Sequence, residues 1–262
     1  MMDKTLEILN ALTLAVNEQA TNKEVALLFS GGLDSSIVAK IARTCTSLRL
    51  YTVGIEGAHD LRVAERTAKT LGIPWIGIVI DECDVISEIV SLSRLISTYN
   101  PLIISFELPL YFVAKTAEET LLMSGQGADE IFGGYARYLK MSSQELEISM
   151  RKDLVELMSI GVLRENRIVE SFGKHLNCPF LHPAVLKALE GIPTMEHVHN
   201  GVRKALLREI GAQLSLGDIA LREKKAAQYG SGIMKTIRTA AKRWNMTLES
   251  FVRYIADKGE SP

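Results

Sequence analysis

The stretch EVALLFSGGLDSSIVAKIA, residues 24–42, joins an apolar run to a helix-like run through a cluster of small and acidic residues. Residues 25–29 are apolar and β-prone, which predicts a buried strand, and residues 35–42 have the spacing of a helix. Between them stands SGGLD, residues 30–34. Glycines let the backbone approach a ligand closely, and the first N–H groups of a helix attract anions. The stretch therefore predicts an anion-binding loop between a strand and a helix.

A structural interpretation of the same loop is a plain strand-to-helix turn capped by Asp34 or Ser35, and for a bare pair of glycines that interpretation would be preferred. The full pattern S-G-G-x-D-S-S favours anion binding instead. We therefore expect the ligand to be bound by Ser30, Gly31, Gly32, Asp34, Ser35 and Ser36.

Strand and helix signals alternate along the first half of the chain. Such alternation builds βαβ units, whose right-handed crossovers place helices on both faces of a parallel sheet. We therefore predict an α/β fold with a parallel sheet and helices on both faces. The predicted strands are residues 25–29, 48–53, 75–80 and 120–123, and the predicted helices are residues 35–42, 60–71, 84–98 and 108–119.

Strand signals stop after Tyr135, and helical spacing continues to the end of the chain. We expect residues 1–140 to form the ligand-binding part and residues 141–262 to form a mostly helical C-terminal part packed on it. No linker rich in Pro, Gly or Ser separates the two parts. The predicted C-terminal helices are residues 143–160, 183–190, 201–214 and 233–257.

The composition excludes several classes of protein. The chain has 262 residues and a formal net charge of −1, which gives no electrostatic footprint for nucleic acid or an anionic membrane. No apolar run is long enough to span a bilayer and no signal peptide is recognisable, so we expect a cytoplasmic protein. Cys45, Cys83 and Cys178 are isolated, which argues against a disulfide framework or a zinc site. His197 and His199 fall in a predicted loop and are expected to be exposed.

A second cluster of small and acidic residues, SGQGADEIFGGY at residues 124–135, follows the fourth predicted strand. Parallel strands end at the same edge of a sheet, so Asp129 is expected to lie near Asp34. Alone, Asp129-Glu130 reads as an acidic pair at a helix N-terminus. Together with the first loop, it predicts that Asp34 and Asp129 hold Mg²⁺ against phosphate oxygens.

The two clusters carry a family resemblance. SGGLDSS, residues 30–36, resembles the pyrophosphate loop (PP-loop) of ATP pyrophosphatases, and residues 124–135 resemble the second signature of the synthetase domain of asparagine synthetases. PFLH at residues 179–182 and REKKAAQYGSG at residues 222–232 extend the similarity over most of the chain. The resemblance implies the adenine nucleotide alpha-hydrolase-like fold, with ATP and Mg²⁺ as cofactors.

The same resemblance implies roles for further residues. Leu28, Val53, Ser124 and Gly125 would line the adenosine site, largely through backbone atoms. Lys224 would face the α-phosphate during the reaction, with Lys225 as the alternative. A fixed cation there is physically sensible because it stabilises the charge that develops on a phosphoryl centre.

Four positions depart from the family pattern. Gln126 replaces a glutamate that lies between two glycines, and His175, Asn177 and His182 replace a glutamate, an arginine and an aspartate. An amide cannot act as a base near neutral pH, so Gln126 is expected to hydrogen-bond the acceptor substrate beside the acyl-adenylate. These departures argue against cyclisation chemistry but do not exclude amidation by free ammonia.

The resemblance implies an ATP-dependent carbon–nitrogen ligase that adenylates a small carboxylate, aspartate by default, releases pyrophosphate and transfers ammonia. A PP-loop enzyme that modifies transfer RNA or another small molecule, and a non-catalytic ATP-binding relative, are the alternatives. The sequence opens Met1-Met2-Asp3 and leaves room for one helix before Ser30. We therefore expect ammonia either free or delivered by a separate glutaminase subunit; a homodimer stays open.

Overall fold

The computed structural model describes residues 4–222 and 230–258, and its main feature is a five-stranded parallel sheet. The strands are β1 (Glu24–Leu28), β2 (Ser47–Ile55), β3 (Trp75–Ile80), β4 (Leu121–Met123) and β5 (His175–Asn177). Their spatial order is β3-β2-β1-β4-β5, and every neighbouring pair is parallel. The order reverses between β1 and β4, which places a crevice beyond the carboxyl ends of these two strands.

Helices surround this sheet. In the first half they are α1 (Lys4–Ala20), α2 (Leu33–Ala42), α3 (His59–Leu71), α4 (Glu82–Ile96), α5 (Pro101–Thr116) and α6 (Ala128–Ile131). In the second half they are α7 (Ser143–Glu156), α8 (Val162–Glu170), α9 (Pro183–Leu189), α10 (Thr194–His197), α11 (Ala205–Gln213), α12 (Asp218–Leu221), α13 (Ile233–Arg243) and α14 (Leu248–Lys258).

Two hydrophobic cores lie on opposite faces of the sheet. Successive side chains of a strand point to opposite faces, and β1 follows this rule. Val25 and Leu27 belong to a core with residues of α1, α2 and α11. Ala26 belongs to a second core with residues of α4, α5, α13 and α14. The predicted α/β fold, with helices on both faces of a parallel sheet, is confirmed.

The four predicted strands are confirmed to within two residues at each end, but the expectation that strands stop after Tyr135 is wrong. β5 pairs with β4 at the edge of the main sheet, and Val198–His199 and Val202–Arg203 form a small antiparallel hairpin, β6 and β7. β5 is three residues long, and β6 and β7 are two residues long each. Such short runs carry no periodicity, so only their tertiary pairing defines them.

Several helix bounds also differ from the expectation. α5 begins at Pro101 rather than residue 108, because the Asn100 side chain caps the N–H groups of Leu102 and Ile103. Residues 157–161 form a π-helical turn that continues α7 into α8, so no helix ends at residue 160. The long predicted helix 233–257 is two helices, separated where Thr247 accepts a hydrogen bond from the backbone N–H of Ser250.

Across residues 4–222 and 230–258, no single helix is long and apolar enough to cross a membrane. Helices α4 and α5 reach that length and apolarity only together, across a bend of 101°. Both contribute to the second hydrophobic core.

Candidate active site

A cavity of about 490 Å³ opens at the carboxyl ends of β1, β2 and β4. It lies at the crevice where the strand order reverses, the usual ligand position in sheets of this kind. All but one of the predicted site residues that the structure describes line it. They are Leu28, Ser30, Gly31, Gly32, Asp34, Ser35, Val53, Ser124, Gly125, Gln126 and Asp129.

The outcome is different for three further predicted residues, Ser36, Lys224 and Lys225. Ser36 is fully buried within α2 and does not line the cavity. Lys224 and Lys225 lie outside the described residues, so their role stays a prediction. Arg222 and Ser231, which the structure does describe, both line the cavity.

The first loop is shaped by Gly31. Its φ of +70° falls in the left-handed region, and a Cβ there would lie 2.9 Å from the backbone Cα of Ala64 on α3. Only glycine fits this conformation and this close approach without strain. The N-cap of α2 is Gly32, so neither Asp34 nor Ser35 serves as the cap that a plain turn would require.

The second loop touches the first. A Cβ on Gly125 would lie 3.1 Å from Cβ of Asp34 and 3.2 Å from the backbone nitrogen of Ser35. The Ser124 hydroxyl accepts a hydrogen bond from the backbone N–H of Gln126 at 3.3 Å, which fixes the turn. The glycine therefore allows the loops after β1 and β4 to pack directly against each other.

Lys204 joins the two predicted metal ligands. Its Nζ lies 2.5 Å from Oδ1 of Asp34 and 2.7 Å from Oδ1 of Asp129, and the lysine is buried. Its backbone has a φ of +57°, an uncommon conformation for a residue with a side chain, immediately before α11. The sequence analysis missed Lys204, since a lysine at the start of an apolar helix carries no local signal of an ion pair 170 residues away.

The donor chemistry of this cluster fits Mg²⁺. Asp34 and Asp129 supply carboxylate oxygens from two separate loops, and both oxygens already face one cationic centre, Nζ of Lys204. Mg²⁺ commonly binds one or two carboxylates together with phosphate oxygens and water. The expectation that the two aspartates converge is therefore confirmed in geometry, while metal binding itself stays a prediction.

Another wall of the cavity is acidic. Glu107 of α5, Glu130 of α6 and Glu165 of α8 all line it and are all buried. Nε of Arg164 donates to Oε1 of Glu107 at 2.6 Å, and the Tyr135 hydroxyl donates to Oε1 of Glu130 at 2.5 Å. The sequence analysis did not single out Glu107 or Glu165, because each looks like an ordinary charged position on a helix.

The pKa of Glu165 is strongly perturbed. Burial, reinforced by repulsion from Glu107 and Glu130, raises the pKa of Glu165 to about 8, although Arg164 opposes the shift. Burial also raises the pKa of Glu107, against the attraction of Arg164. A carboxyl group buried near other carboxylates favours its neutral form.

The expectation that both histidines of the 197–199 stretch are exposed is wrong for His197. His197 ends α10, is 3% exposed and packs edge-to-face against Phe132 at 5.8 Å between ring centroids. Burial lowers its pKa to about 4. His199, on strand β6, is exposed as expected. The buried ring is a packing residue that local sequence could not distinguish from a loop residue.

Two loops at the carboxyl edge of a parallel sheet, with a pair of converging carboxylates, define this chain as an α/β protein with a cavity at the topological switch point. The sequence profile of the family described as Asparagine synthase matches residues 7–152 and 141–250. The chain belongs to this family, as its motifs predicted.

Similar proteins include the putative asparagine synthetase [glutamine-hydrolyzing] 1 of Methanocaldococcus jannaschii, which is 32% identical over 271 residues and is matched over 88% of this chain and 50% of its own length. The asparagine synthetase [glutamine-hydrolyzing] of Pongo abelii is 29% identical over 252 residues, which cover 90% of this chain and 44% of the relative. The chain thus spans about half the length of the curated relatives it matches.

Among solved structures, the NMN synthetase from Francisella tularensis aligns with a TM-score of 0.44 and 12% identity, over 98% of this chain and 93% of that one. The NH3-dependent NAD synthetase from Campylobacter jejuni aligns with a TM-score of 0.36 and 13% identity, over 86% and 99% of the two chains.

Proposed function

We propose that this protein is an ATP-dependent ligase that forms an amide. A carboxylate oxygen of the acceptor, aspartate by default, attacks the α-phosphorus of ATP, and the bond from that phosphorus to the bridging oxygen of the β-phosphate breaks. Pyrophosphate leaves and an acyl-adenylate remains. The nitrogen lone pair of ammonia then attacks the acyl carbon, AMP departs with the carbon–oxygen bonding pair, and the nitrogen loses a proton.

The observation that carries this proposal is the convergence of Asp34 and Asp129 on Lys204, beside the anion-binding loop. Two carboxylates and one ammonium have a net charge of −1. This charge suits a phosphate ligand that binds together with a metal cation. Bound between the two aspartates, Mg²⁺ would neutralise charge on the departing pyrophosphate. The flexible stem of Lys204 lets its Nζ turn from the aspartates to phosphate oxygens.

Other residues of this chain would hold the substrates. Leu28 and Val53 would line the adenosine site largely through backbone atoms, and the backbone of residues 30–36 offers N–H groups for phosphate oxygens. Gln126 lines the same cavity and can both donate to and accept from the acceptor substrate. Lys224 is proposed to face the α-phosphate.

Exchange of labelled pyrophosphate into ATP tests the first half-reaction. We expect exchange with purified protein only when Mg²⁺ and a suitable carboxylic acid are present, and amide formation after ammonium is added. If the protein bound ATP but catalysed no exchange with any acid, the proposal would be contradicted. That result would favour the alternative of a non-catalytic ATP-binding protein. Salt-sensitive binding and modification of transfer RNA would favour the nucleic-acid alternative.

The source of nitrogen is part of the proposal. We propose that this chain uses ammonia, either free or delivered by a glutaminase. The family profile and the relatives named glutamine-hydrolyzing support ammonia as the nitrogen source. Amide formation with ammonium but not with glutamine is the expected result for the purified chain. Glutamine-dependent turnover with stoichiometric glutamate release would contradict it.

A further inference from the structure

Strand β3 forms one edge of the main sheet. It pairs with β2 along one side, and within residues 4–222 and 230–258 no strand pairs with its other side. β3 has six residues, WIGIVI, of which none is charged and none is proline, and its register with β2 is continuous. Soluble proteins usually protect such an edge with a charge, a proline or a bulge, because its free N–H and C=O groups attract other strands.

The opposite edge of the sheet is protected in a common way. β5 is three residues long, and polar side chains, His175 and Asn177, stand at its two ends. A very short edge strand offers few backbone groups for pairing. The two edges therefore differ, and β3 has the length and composition of an interior strand.

The hydrogen bonds to β2 show which groups of β3 point outward. The N–H of Leu50 donates to the carbonyl oxygen of Pro74, and the register places Leu50 opposite Trp75. Successive residues of a strand direct their N–H and C=O groups to alternate sides, so the even-numbered residues of β3 face β2. Trp75, Gly77 and Val79 therefore direct their N–H and C=O groups away from the sheet.

Apolar side chains accompany these outward groups. Val79 is 59% exposed and Ile76 is 37% exposed, and they lie on opposite faces of the strand. Between them lies Gly77, where a Cβ would be 2.6 Å from the ring of Trp75. The middle of β3 thus has no side chain of its own, which allows another backbone to approach it closely.

We propose that β3 pairs with β3 of a second copy of this chain, antiparallel, about a two-fold axis at Gly77. In this register Gly77 faces the partner's Gly77, and Trp75 faces the partner's Val79. All three outward residues then form hydrogen-bonded pairs, with about six hydrogen bonds in total. Any other register leaves at least one of them opposite a residue beyond the strand. The same patch serves both copies, as a two-fold interface requires.

Side chains and charges match in this arrangement. Ile76 faces the partner's Ile78, which makes an apolar cross-strand pair on one face of the joined sheet. The exposed Asp81 follows β3, and the exposed Lys69 lies in the last turn of the helix that precedes it. Antiparallel pairing brings Asp81 toward the partner's Lys69, whereas parallel pairing would bring like charges together.

The pairing leaves the cavity open and makes a reversible dimer. Among the residues that the structure describes, none that line the cavity belongs to β3. An interface built on one pair of six-residue strands is small, below the about 1,200 Å² of total buried surface at which stable complexes begin. We therefore expect the dimer to dissociate on dilution.

Sedimentation equilibrium tests the dimer. Between about 1 and about 200 µM, the average mass of the wild-type protein should rise from that of one chain toward that of two. Val79→Lys places a charge against the partner's strand and should raise the dissociation constant at least about tenfold. Val155→Lys, on α7 at a position that is 60% exposed against 59% for Val79, is the matched control and should dimerise as wild type does.

Amide hydrogen exchange, followed by NMR, locates the interface. At the high concentration, exchange at Gly77 and Val79 should slow at least about tenfold, and exchange at Ile76 and Ile78, whose N–H groups face β2, should change less. Mass of a single chain at every concentration would overturn the proposal, and so would a dimer that Val79→Lys does not weaken. Pyrophosphate exchange is not needed for either measurement, so the outcome is independent of the proposed function.

Discussion

The ammonium of Lys204 and the carboxylate of Asp34 form a buried ion pair at 2.5 Å, across 170 residues of sequence. The same Nζ lies 2.7 Å from Asp129, so one lysine of the C-terminal half holds together loops that follow two different strands. The loop that follows β1 and the loop that follows β4 are therefore held together by this one buried ammonium.

Replacing Lys204 by methionine should destabilise the protein and make its stability depend on Mg²⁺. Removing one member of a buried ion pair costs about 3–5 kcal/mol, because the charge left behind has no partner. Here two carboxylates are left facing each other, and Mg²⁺ can take the place of Nζ. The free energy of unfolding, measured with denaturant, should fall in Lys204→Met and recover in part when MgCl₂ is added.

Lys204→Arg is the matched control for that experiment, since it keeps the positive charge at the position. Its unfolding should respond to MgCl₂ no more than wild type does. If Lys204→Met unfolded at the wild-type denaturant concentration, with and without MgCl₂, the buried ion pair would not stabilise the fold and the two aspartates would not bind Mg²⁺ without a nucleotide.

Asp34→Asn and Asp129→Asn should each lower pyrophosphate exchange by at least about 100-fold, since each removes a charge that stabilises the metal-bound transition state. The fold should survive, because Lys204 retains the other aspartate as its partner. Circular dichroism and the unfolding midpoint check the fold. Asp257→Asn, at an exposed site on α14, controls for the substitution itself, and near-normal exchange in either active-site variant would remove that residue from the proposed ligand pair.

The sequence alone predicted the elements whose signals are local. The strand before Ser30 and the glycines of the two loops have patterns that span only a few residues, and the rule that parallel strands end at one edge then brought Asp34 and Asp129 together. These positions line one cavity as expected.

What the sequence did not predict depends on contacts between distant segments. β5 is three residues long and becomes a strand only by pairing with β4. Lys204, Glu107 and Glu165 look like surface charges in their own helices or turns, and only the packing of α5, α8 and α11 around the cavity buries them. Burial of a charge is a tertiary property that no local pattern contains.

Gln126→Glu should alter the choice of acceptor more than the affinity for ATP. Gln126 lines the same cavity as the acidic wall, and the substitution replaces an amide donor by another carboxylate. We expect KM for the acceptor to change at least about fivefold and KM for ATP to stay within about twofold. Gln144→Glu, exposed on α7, is the control, and equal losses with every acceptor would show that Gln126 only shapes the turn.

The carboxyl group of Glu165 should make the protein less stable as the pH rises. Burial and the repulsion of Glu107 and Glu130 raise its pKa from 4.5 to about 8, against the attraction of Arg164. Between these values the native state binds a proton that the unfolded chain has released, so the free energy of unfolding falls with rising pH, by at most about 1.4 kcal/mol per pH unit for one group.

Glu165→Gln cannot titrate and should lack this part of the slope. Denaturant unfolding of wild type and variant at several pH values from 5 to 8 gives the difference, and Glu170→Gln should keep the wild-type slope. Parallel curves for wild type and Glu165→Gln would show that the buried carboxyl group has an ordinary pKa.

The imidazole of His197 should make the protein less stable as the pH falls, in the acidic range. Burial lowers its pKa from 6.5 to about 4, although Glu196 opposes the shift. Below pH 6.5 the unfolded chain therefore binds a proton that the native ring does not bind, and stability is lost as the pH falls from 6.5 toward 4.

His197→Leu removes this proton uptake while keeping an apolar contact with Phe132. The free energy of unfolding of the variant should thus lose less than that of wild type on acidification, by at most about 1.4 kcal/mol per pH unit. His199→Leu, at an exposed position two residues away, should follow the wild-type curve. If His197→Leu followed it as well, the native ring would titrate like an exposed histidine, and its burial against Phe132 could not be the source of acid sensitivity.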